Sequence, residues 1–185
     1  MRIQRWWRLL LIVLASLGTT FILEQYKQSS PLESSSPPTT QQEPLVLTPG
    51  TKNPSPEIIE QQIHEKINAY RVNLGLKPLT LDYRITNESR KYSAKMASGE
   101  ATFSHDGFEG RASNLEKQAL PYASVAENLA LIQGYDDVAT VAVEGWIDSP
   151  GHHKNIVGDF DLTGIGVVKN EDEIYYFTQL FLKRR

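Results

Sequence analysis

Cysteine is absent from the 185 residues of the chain. The chain therefore forms no disulfide, and it offers neither a cysteine ligand for zinc nor a cysteine nucleophile. Exported proteins do not require disulfides, so this absence does not conflict with a location outside the cytoplasm.

Positive charge is also scarce in the C-terminal part of the chain. Residues 57–185 carry 14 Lys and Arg against 19 Asp and Glu. A nucleic-acid binder needs a basic face that displaces the counterions of the phosphates. The charge balance therefore excludes nucleic acid as the partner.

Residues 1–23 combine three arginines with a long apolar stretch. Only Arg8 interrupts the 18 residues from Trp6 to Leu23, and a helix of that length spans roughly 27 Å, close to the thickness of a bilayer core. The basic end is expected to stay in the cytoplasm, so that the rest of the chain is delivered outward. Because Ser16-Leu17-Gly18 is only a weak cleavage motif, the segment is predicted to be a signal peptide or, preferably, an uncleaved signal anchor.

Residues 24–56 are rich in Pro, Ser, Thr and Gln, as in the run SSPLESSSPPTTQQEP. Such a composition buries too little apolar surface to offset the entropy lost on ordering. The segment is predicted to be a disordered linker between the membrane segment and one folded domain over residues 57–185.

The folded domain shows helical patterns first and strand patterns last. Apolar residues at three- and four-residue spacing predict a helix over 57–74. Shorter patterns predict three more helices, and two β-rich segments predict a terminal hairpin; the helices cover 81–98, 111–119 and 135–146, and the strands 164–168 and 174–181. Helices followed by strands indicate an α+β fold.

Four segments of the domain, in this order, carry a family resemblance: Asn68–Asp82 (NAYRVNLGLKPLTLD), Phe103–His105 (FSH), Ala126–Leu129 (AENL) and Gly145–Ile156 (GWIDSPGHHKNI). Together they resemble the bacterial type of the CAP superfamily, the group of cysteine-rich secretory proteins, antigen 5 and pathogenesis-related 1 proteins. The resemblance covers nearly all of residues 57–185. It implies a three-layer α-β-α sandwich with a small antiparallel sheet between the helices.

In that family, two histidines and two glutamates line a central cleft. His105 matches the first histidine, Glu127 the first glutamate and His152 the second histidine. Ser149 stands where many members carry the second glutamate, so three of the four positions carry over. The resemblance therefore implies a cleft lined by His105, Glu127, His152, Ser149 and Asn128.

The matched residues include groups that bind metal ions. Neutral imidazoles and carboxylates are ligands of Zn²⁺ and similar divalent ions, so His105 and His152 are the predicted metal ligands and Glu127 the third. The chain lacks the HExxH spacing that places two ligands on one helix, so the metal prediction depends on the resemblance. If only the two imidazoles bind, the affinity is expected to be weak.

Three functions stay open. The favoured one is a binding module that holds an envelope protein, a lipid or a glycan in or beside the cleft. The second is a metal-dependent, peptidase-like hydrolase in which Glu127 is the base for a metal-bound water. No G-x-S-x-G and no recognisable Ser-His-Asp arrangement is present, so a conventional enzyme is not favoured. The third is a structural envelope protein in which the N-terminal tether matters most.

Other polar residues have structural interpretations. His64 is predicted to be solvated, and His153 to be exposed or to lie behind the cleft ligands. Asn68 and Arg71 lie three positions apart on one helical face, and we expect them to make structural hydrogen bonds. Asn155 is predicted to stabilise the loop that follows the motif histidine through local hydrogen bonds from its side chain to the backbone.

Overall fold

The computed structural model describes residues 54–185. The predicted segment 1–23 and nearly all of the predicted linker 24–56 lie outside the described residues. No helix within residues 54–185 combines the length and hydrophobicity that crossing a bilayer requires. The elements follow in the order α1 (Pro56–Asn73), β1 (Thr80–Leu81), α2 (Tyr83–Ala97), α3 (Phe108–Lys117), β2 (Tyr122–Ile132), α4 (Val138–Asp148), α5 (Pro150–Ile156), β3 (Leu162–Lys169) and β4 (Tyr175–Arg184).

The four strands form one sheet in the order β1-β3-β4-β2. β2 pairs antiparallel with β4, and β3 and β4 form the antiparallel hairpin that the sequence predicts. β1 differs, because its two residues pair in parallel with the first two residues of β3. A parallel pair requires a long crossover, which the chain between these two strands supplies. The sheet is therefore mixed rather than purely antiparallel.

Helices cover both faces of the sheet. Because side chains alternate along a strand, Phe177 and Phe181 of β4 pack with residues of α1 and α4, whereas Leu180 and Leu182 pack with residues of α2 and α3. All four side chains are fully buried, and each such burial contributes about 1.5–3 kcal/mol. The predicted three-layer α-β-α sandwich is confirmed.

The contact between α2 and β3 depends on two glycines. A Cβ at Gly164 would lie 2.2 Å from the backbone of α2, and a Cβ at Gly166 would lie 2.1 Å from it. The hydroxyls of Ser89 and Ser93, one turn apart on α2, donate hydrogen bonds to the carbonyl oxygens of these glycines at 3.1 and 2.9 Å. The helix therefore lies directly on the strand and satisfies its backbone acceptors.

The predicted helices over 57–74, 81–98 and 135–146 are confirmed as α1, α2 and α4, and the one over 111–119 as α3, which begins earlier. The sequence patterns predict neither β2 nor α5. β2 lacks a period-two pattern around the cleft, because Glu127, Asn128 and Leu129 are all buried. α5 has only 7 residues, too few for helical periodicity to show.

Polar side chains of α1 fix the helix to neighbouring loops. Asn68 exchanges two hydrogen bonds with the backbone of Leu79, at 2.9 and 2.8 Å. Arg71 is 2% exposed and donates to the carbonyl oxygen of Ile156 at 2.6 Å. The structural roles predicted for both residues are confirmed. The prediction of a solvated His64 is wrong, because its ring is half-buried and Nε2 lies 2.9 Å from the Leu79 oxygen.

Candidate functional site

The three motif residues meet at the outer edge of β2. His105 lies in the loop between α2 and α3, Glu127 lies on β2, and His152 lies in the first turn of α5. The ring centroids of the two histidines are 6.4 Å apart, and His105 Nδ1 is 2.9 Å from Glu127 Oε1. The fold therefore brings together residues that are 22 and 25 positions apart in the chain.

Arg111 of α3 holds the Glu127 carboxylate in a bidentate ion pair. Its Nε donates to Oε2 at 2.6 Å and its Nη2 donates to Oε1 at 2.7 Å. The two side chains are 8% and 2% exposed. Together with the contact from His105, this pair engages both carboxylate oxygens of Glu127 and neutralises its charge inside the protein.

Arg111 also fixes the loop that carries His105. Its Nη1 donates to the carbonyl oxygen of Asp106 at 2.8 Å, and its guanidinium lies 3.4 Å from the ring centroid of Tyr92. The Tyr92 hydroxyl donates to the Ser104 carbonyl oxygen at 2.6 Å. Arg111 is thus the centre of the site, although no sequence pattern indicates this role, because its partners lie on three different elements.

The contact with Glu127 sets the tautomer of His105. An ionised carboxylate only accepts hydrogen bonds, so Nδ1 carries the proton and, in the neutral ring, Nε2 keeps its lone pair. The His105 side chain is 55% exposed. No group within residues 54–185 hydrogen-bonds Nε2, so this part of the chain offers an oriented imidazole with an acceptor nitrogen open to a ligand.

His152 is held in the neutral form at physiological pH. Burial lowers its pKa below the ordinary value of 6.5, and the neighbouring His105 lowers this pKa further through charge repulsion. Both causes disfavour the protonated ring. Among the described residues, the site thus contains a second neutral imidazole whose acceptor nitrogen has no hydrogen-bond partner.

Asn128 and Asn155 position α5 against β2. Asn128 is fully buried and donates to the carbonyl oxygen of His152 at 3.2 Å. Asn155 donates to Asn128 Oδ1 at 2.9 Å and to the Glu127 carbonyl oxygen at 3.1 Å. The structure therefore places Asn128 behind the cleft. The prediction that Asn155 makes local contacts in a loop is wrong, because the residue lies in α5 and its amide binds groups of β2.

Ser149 and His153 flank the motif histidine. Ser149 is half-buried at the junction of α4 and α5, and its carbonyl oxygen accepts from the His153 backbone at 2.8 Å. The imidazole Nε2 of His153 lies 2.9 Å from the Tyr70 hydroxyl of α1. His153 therefore joins α5 to α1, and its ring is half-buried behind the cleft.

The donor set does not fit a zinc site with three protein ligands. Within residues 54–185, no group of three or more His, Asp or Glu side chains is arranged to hold a metal ion. The physical reason is Arg111, which engages both oxygens of Glu127 and would place its positive charge beside the ion. Two imidazoles are then the only protein ligands that the motif residues can supply.

Comparison with known proteins matches this fold and these motifs to one family. The model of the cysteine-rich secretory protein family (CAP) matches residues 64–181. Membrane protein YlbC of Bacillus subtilis is 32% identical over 128 residues, which are 68% of this chain and 34% of that protein. The chain thus spans about a third of the length of this curated relative.

Two solved structures share the fold. An outer surface protein from Borrelia burgdorferi matches with a TM-score of 0.61 and 23% identity, over 71% of this chain and 96% of that one. An extracellular protein containing a SCP domain from Bacillus anthracis matches with a TM-score of 0.57 and 27% identity, over 69% and 41%. The chain belongs to the cysteine-rich secretory protein (CAP) family.

Proposed function

We propose that this CAP domain is a binding module outside the cytoplasm, and that its ligand or partner binds the cleft between His105 and His152. The observation that carries the proposal is the chain of contacts from Arg111 through Glu127 to His105. A purely structural ion pair would not need a third, half-exposed partner. This network instead orients an imidazole while leaving its Nε2 free.

Two independent indications support this location. The N-terminal arginines and apolar stretch have the form of an export signal or anchor. The relatives described above include a membrane protein and an outer surface protein. The domain would then meet constituents of the cell envelope.

The chemistry of the cleft favours ligands that donate hydrogen bonds. Each neutral imidazole has one acceptor nitrogen, and the charge of Glu127 is neutralised by Arg111. Hydroxyl groups of a glycan, polar groups of a lipid head, and amides of an envelope protein all donate in this way. A divalent ion fits only if the two imidazoles are its protein ligands, and it would then be held weakly.

The test is to immobilise the purified chain and to compare which envelope lipids, glycans and proteins bind to it and to the His105→Ala/His152→Ala variant. We expect a partner that the variant loses while its melting curve stays cooperative. If every partner binds the variant equally well, the cleft is not the binding site.

Zinc titration by calorimetry examines the ion separately. We expect weak binding that the double variant loses. Tight stoichiometric binding that also needs Glu127 would contradict the role of Arg111, because that pair would have to open. Melting curves give a second readout, since a ligand at one hundred times its dissociation constant adds about 2.7 kcal/mol of stability.

The two alternatives are tested by different variants. A metal-dependent hydrolase would use Glu127 as its base, so peptide cleavage that persists in Glu127→Ala would exclude that mechanism. A structural envelope protein would keep its phenotype in the double histidine variant and lose it when residues 1–23 are deleted. The opposite result would favour the cleft.

A further inference from the structure

A cavity lies between α2 and α3, and it shares Tyr92 and Arg111 with the network that holds His105. Its volume is about 410 Å³. Glu88, Lys91 and Lys95 line it from α2, and Gly110 and Asn114 line it from α3. Arg111 forms part of the wall on the side of the histidine cleft. The size lies within the range of cavities that hold small ligands.

Glu88 is the buried charged group of this cavity. The residue is 4% exposed, and its Oε1 accepts a hydrogen bond from Asn114 Nδ2 at 2.8 Å. Its Oε2 accepts no hydrogen bond from residues 54–185 and forms a long ion pair with the exposed ammonium of Lys91, at 3.7 Å. A buried carboxylate is costly unless it is closely paired, so Oε2 can still accept a hydrogen bond from a ligand.

Two of the three positive groups that line the cavity, Lys91 and Lys95, lie at its rim, whereas the third, Arg111, is buried and paired with Glu127. Lys91 and Lys95 have side chains that are 66% and 52% exposed. Lys95 pairs with Glu100 at 2.7 Å, but Glu100 is itself 62% exposed. An exposed ion pair of this kind contributes little, so Lys95 can turn to an incoming anion. Lys91 can do so once a ligand cation takes its place beside the buried carboxylate of Glu88.

This separation of charge selects the ligand. The buried carboxylate of Glu88 would repel a simple anion, and the two lysines at the rim would repel a simple cation. We propose that the cavity binds a small zwitterion, such as a free amino acid or a short peptide. Its ammonium group donates to Glu88 Oε2, and its carboxylate pairs with Lys91 and Lys95.

The test uses dialanine and trialanine as probes, titrated into the purified full chain and followed by NMR and calorimetry. Glu88→Gln keeps the side-chain shape and an acceptor for Asn114 but removes the charge. We expect it to weaken binding about tenfold or more, as the loss of a charged hydrogen bond predicts. Glu116→Gln on α3 is the matched control, because Glu116 lies outside the cavity lining; it should change the affinity by less than about twofold.

The probes themselves supply a second control. N-acetyl-dialanine lacks the ammonium group and should bind about tenfold more weakly or worse. The Lys91→Ala/Lys95→Ala variant changes only exposed side chains and should weaken binding by about threefold to tenfold. The proposal would be overturned if Glu88→Gln bound the peptides as tightly as the native chain does. It would also be overturned if N-acetyl-dialanine bound as tightly as dialanine, or if neither peptide bound.

Discussion

Arg111 and Glu127 form a bidentate ion pair in which two guanidinium nitrogens lie 2.6 and 2.7 Å from the two carboxylate oxygens. This ion pair determines which role the Glu127 carboxylate has in the cleft. A carboxylate held in this way orients His105 through Nδ1, and a metal ion or a water proton would have to compete with these contacts for its oxygens. Glu127 is therefore a positioning residue for the imidazole.

Removing Arg111 is expected to destabilise the fold strongly. Arg111→Ala leaves the Glu127 carboxylate buried without its partner, and breaking a buried pair in this way costs about 3–5 kcal/mol. The free energy of unfolding, from urea denaturation, measures this. Arg185→Ala is the control, because Arg185 is 67% exposed in its ion pair with Glu116, and it should cost less than about 1 kcal/mol. If Arg111→Ala and Arg185→Ala lowered the free energy of unfolding by similar amounts, the buried pair of Arg111 and Glu127 would not stabilise the fold.

The pKa of the His152 imidazole should reflect its burial and its neighbour His105. NMR of the imidazole protons is expected to give a pKa below 6.5, because burial and the charge of His105 disfavour protonation. The variant His105→Asn removes the second cause only, so the pKa should rise part of the way towards 6.5. A pKa of His152 at or above that value in the native protein would contradict the structure.

The same shift gives a pH dependence of stability. The folded-state pKa of His152 is lowered, so the stabilisation is present above the unfolded pKa of 6.5. It is lost as the pH falls through the folded pKa. His152→Asn removes this component, so the unfolding free energy of the native protein should fall more than that of the variant between about pH 7.5 and about pH 5. If the unfolding free energies of the native protein and of His152→Asn depended on pH in the same way, the lowered pKa of His152 would be refuted.

Gly164 should tolerate no side chain. A Cβ there would lie 2.2 Å from a backbone nitrogen of α2, and the helix cannot move without losing its hydrogen bonds to β3. We expect Gly164→Ala to cost about 1–3 kcal/mol or more. Gly145→Ala is the matched control, because Gly145 lies inside α4 with nothing within 4 Å of a new Cβ. It should stabilise the protein by about 0.5–1 kcal/mol.

The sequence predicts the long helices, the terminal hairpin and, through the family motifs, the meeting of His105, Glu127 and His152. It could not predict the role of Arg111, because an arginine at the start of a helix is most often solvated. Its partners Tyr92, Asp106 and Glu127 come together only in the folded protein. The same holds for β2, where buried polar residues replace the alternating pattern that identifies a strand.

Asn155 should control the position of the second histidine. Its amide donates to Asn128 Oδ1 and to the Glu127 carbonyl oxygen, and Asn128 in turn donates to the backbone of His152. Asn155→Ala leaves a buried acceptor on Asn128 without a partner, which costs about 1–3 kcal/mol. We also expect the imidazole resonances of His152 to shift, because α5 loses the two hydrogen bonds that Asn155 donates to β2.

The control for Asn155→Ala is Asn87→Ala, since Asn87 is exposed on α2 and should change stability by less than about 0.5 kcal/mol. A loss of stability in Asn155→Ala without any change at His152 would mean that Asn155 only supports the loop. A shift at His152 together with that loss would show that the buried amides on β2 and α5 set the distance between the two imidazoles of the cleft.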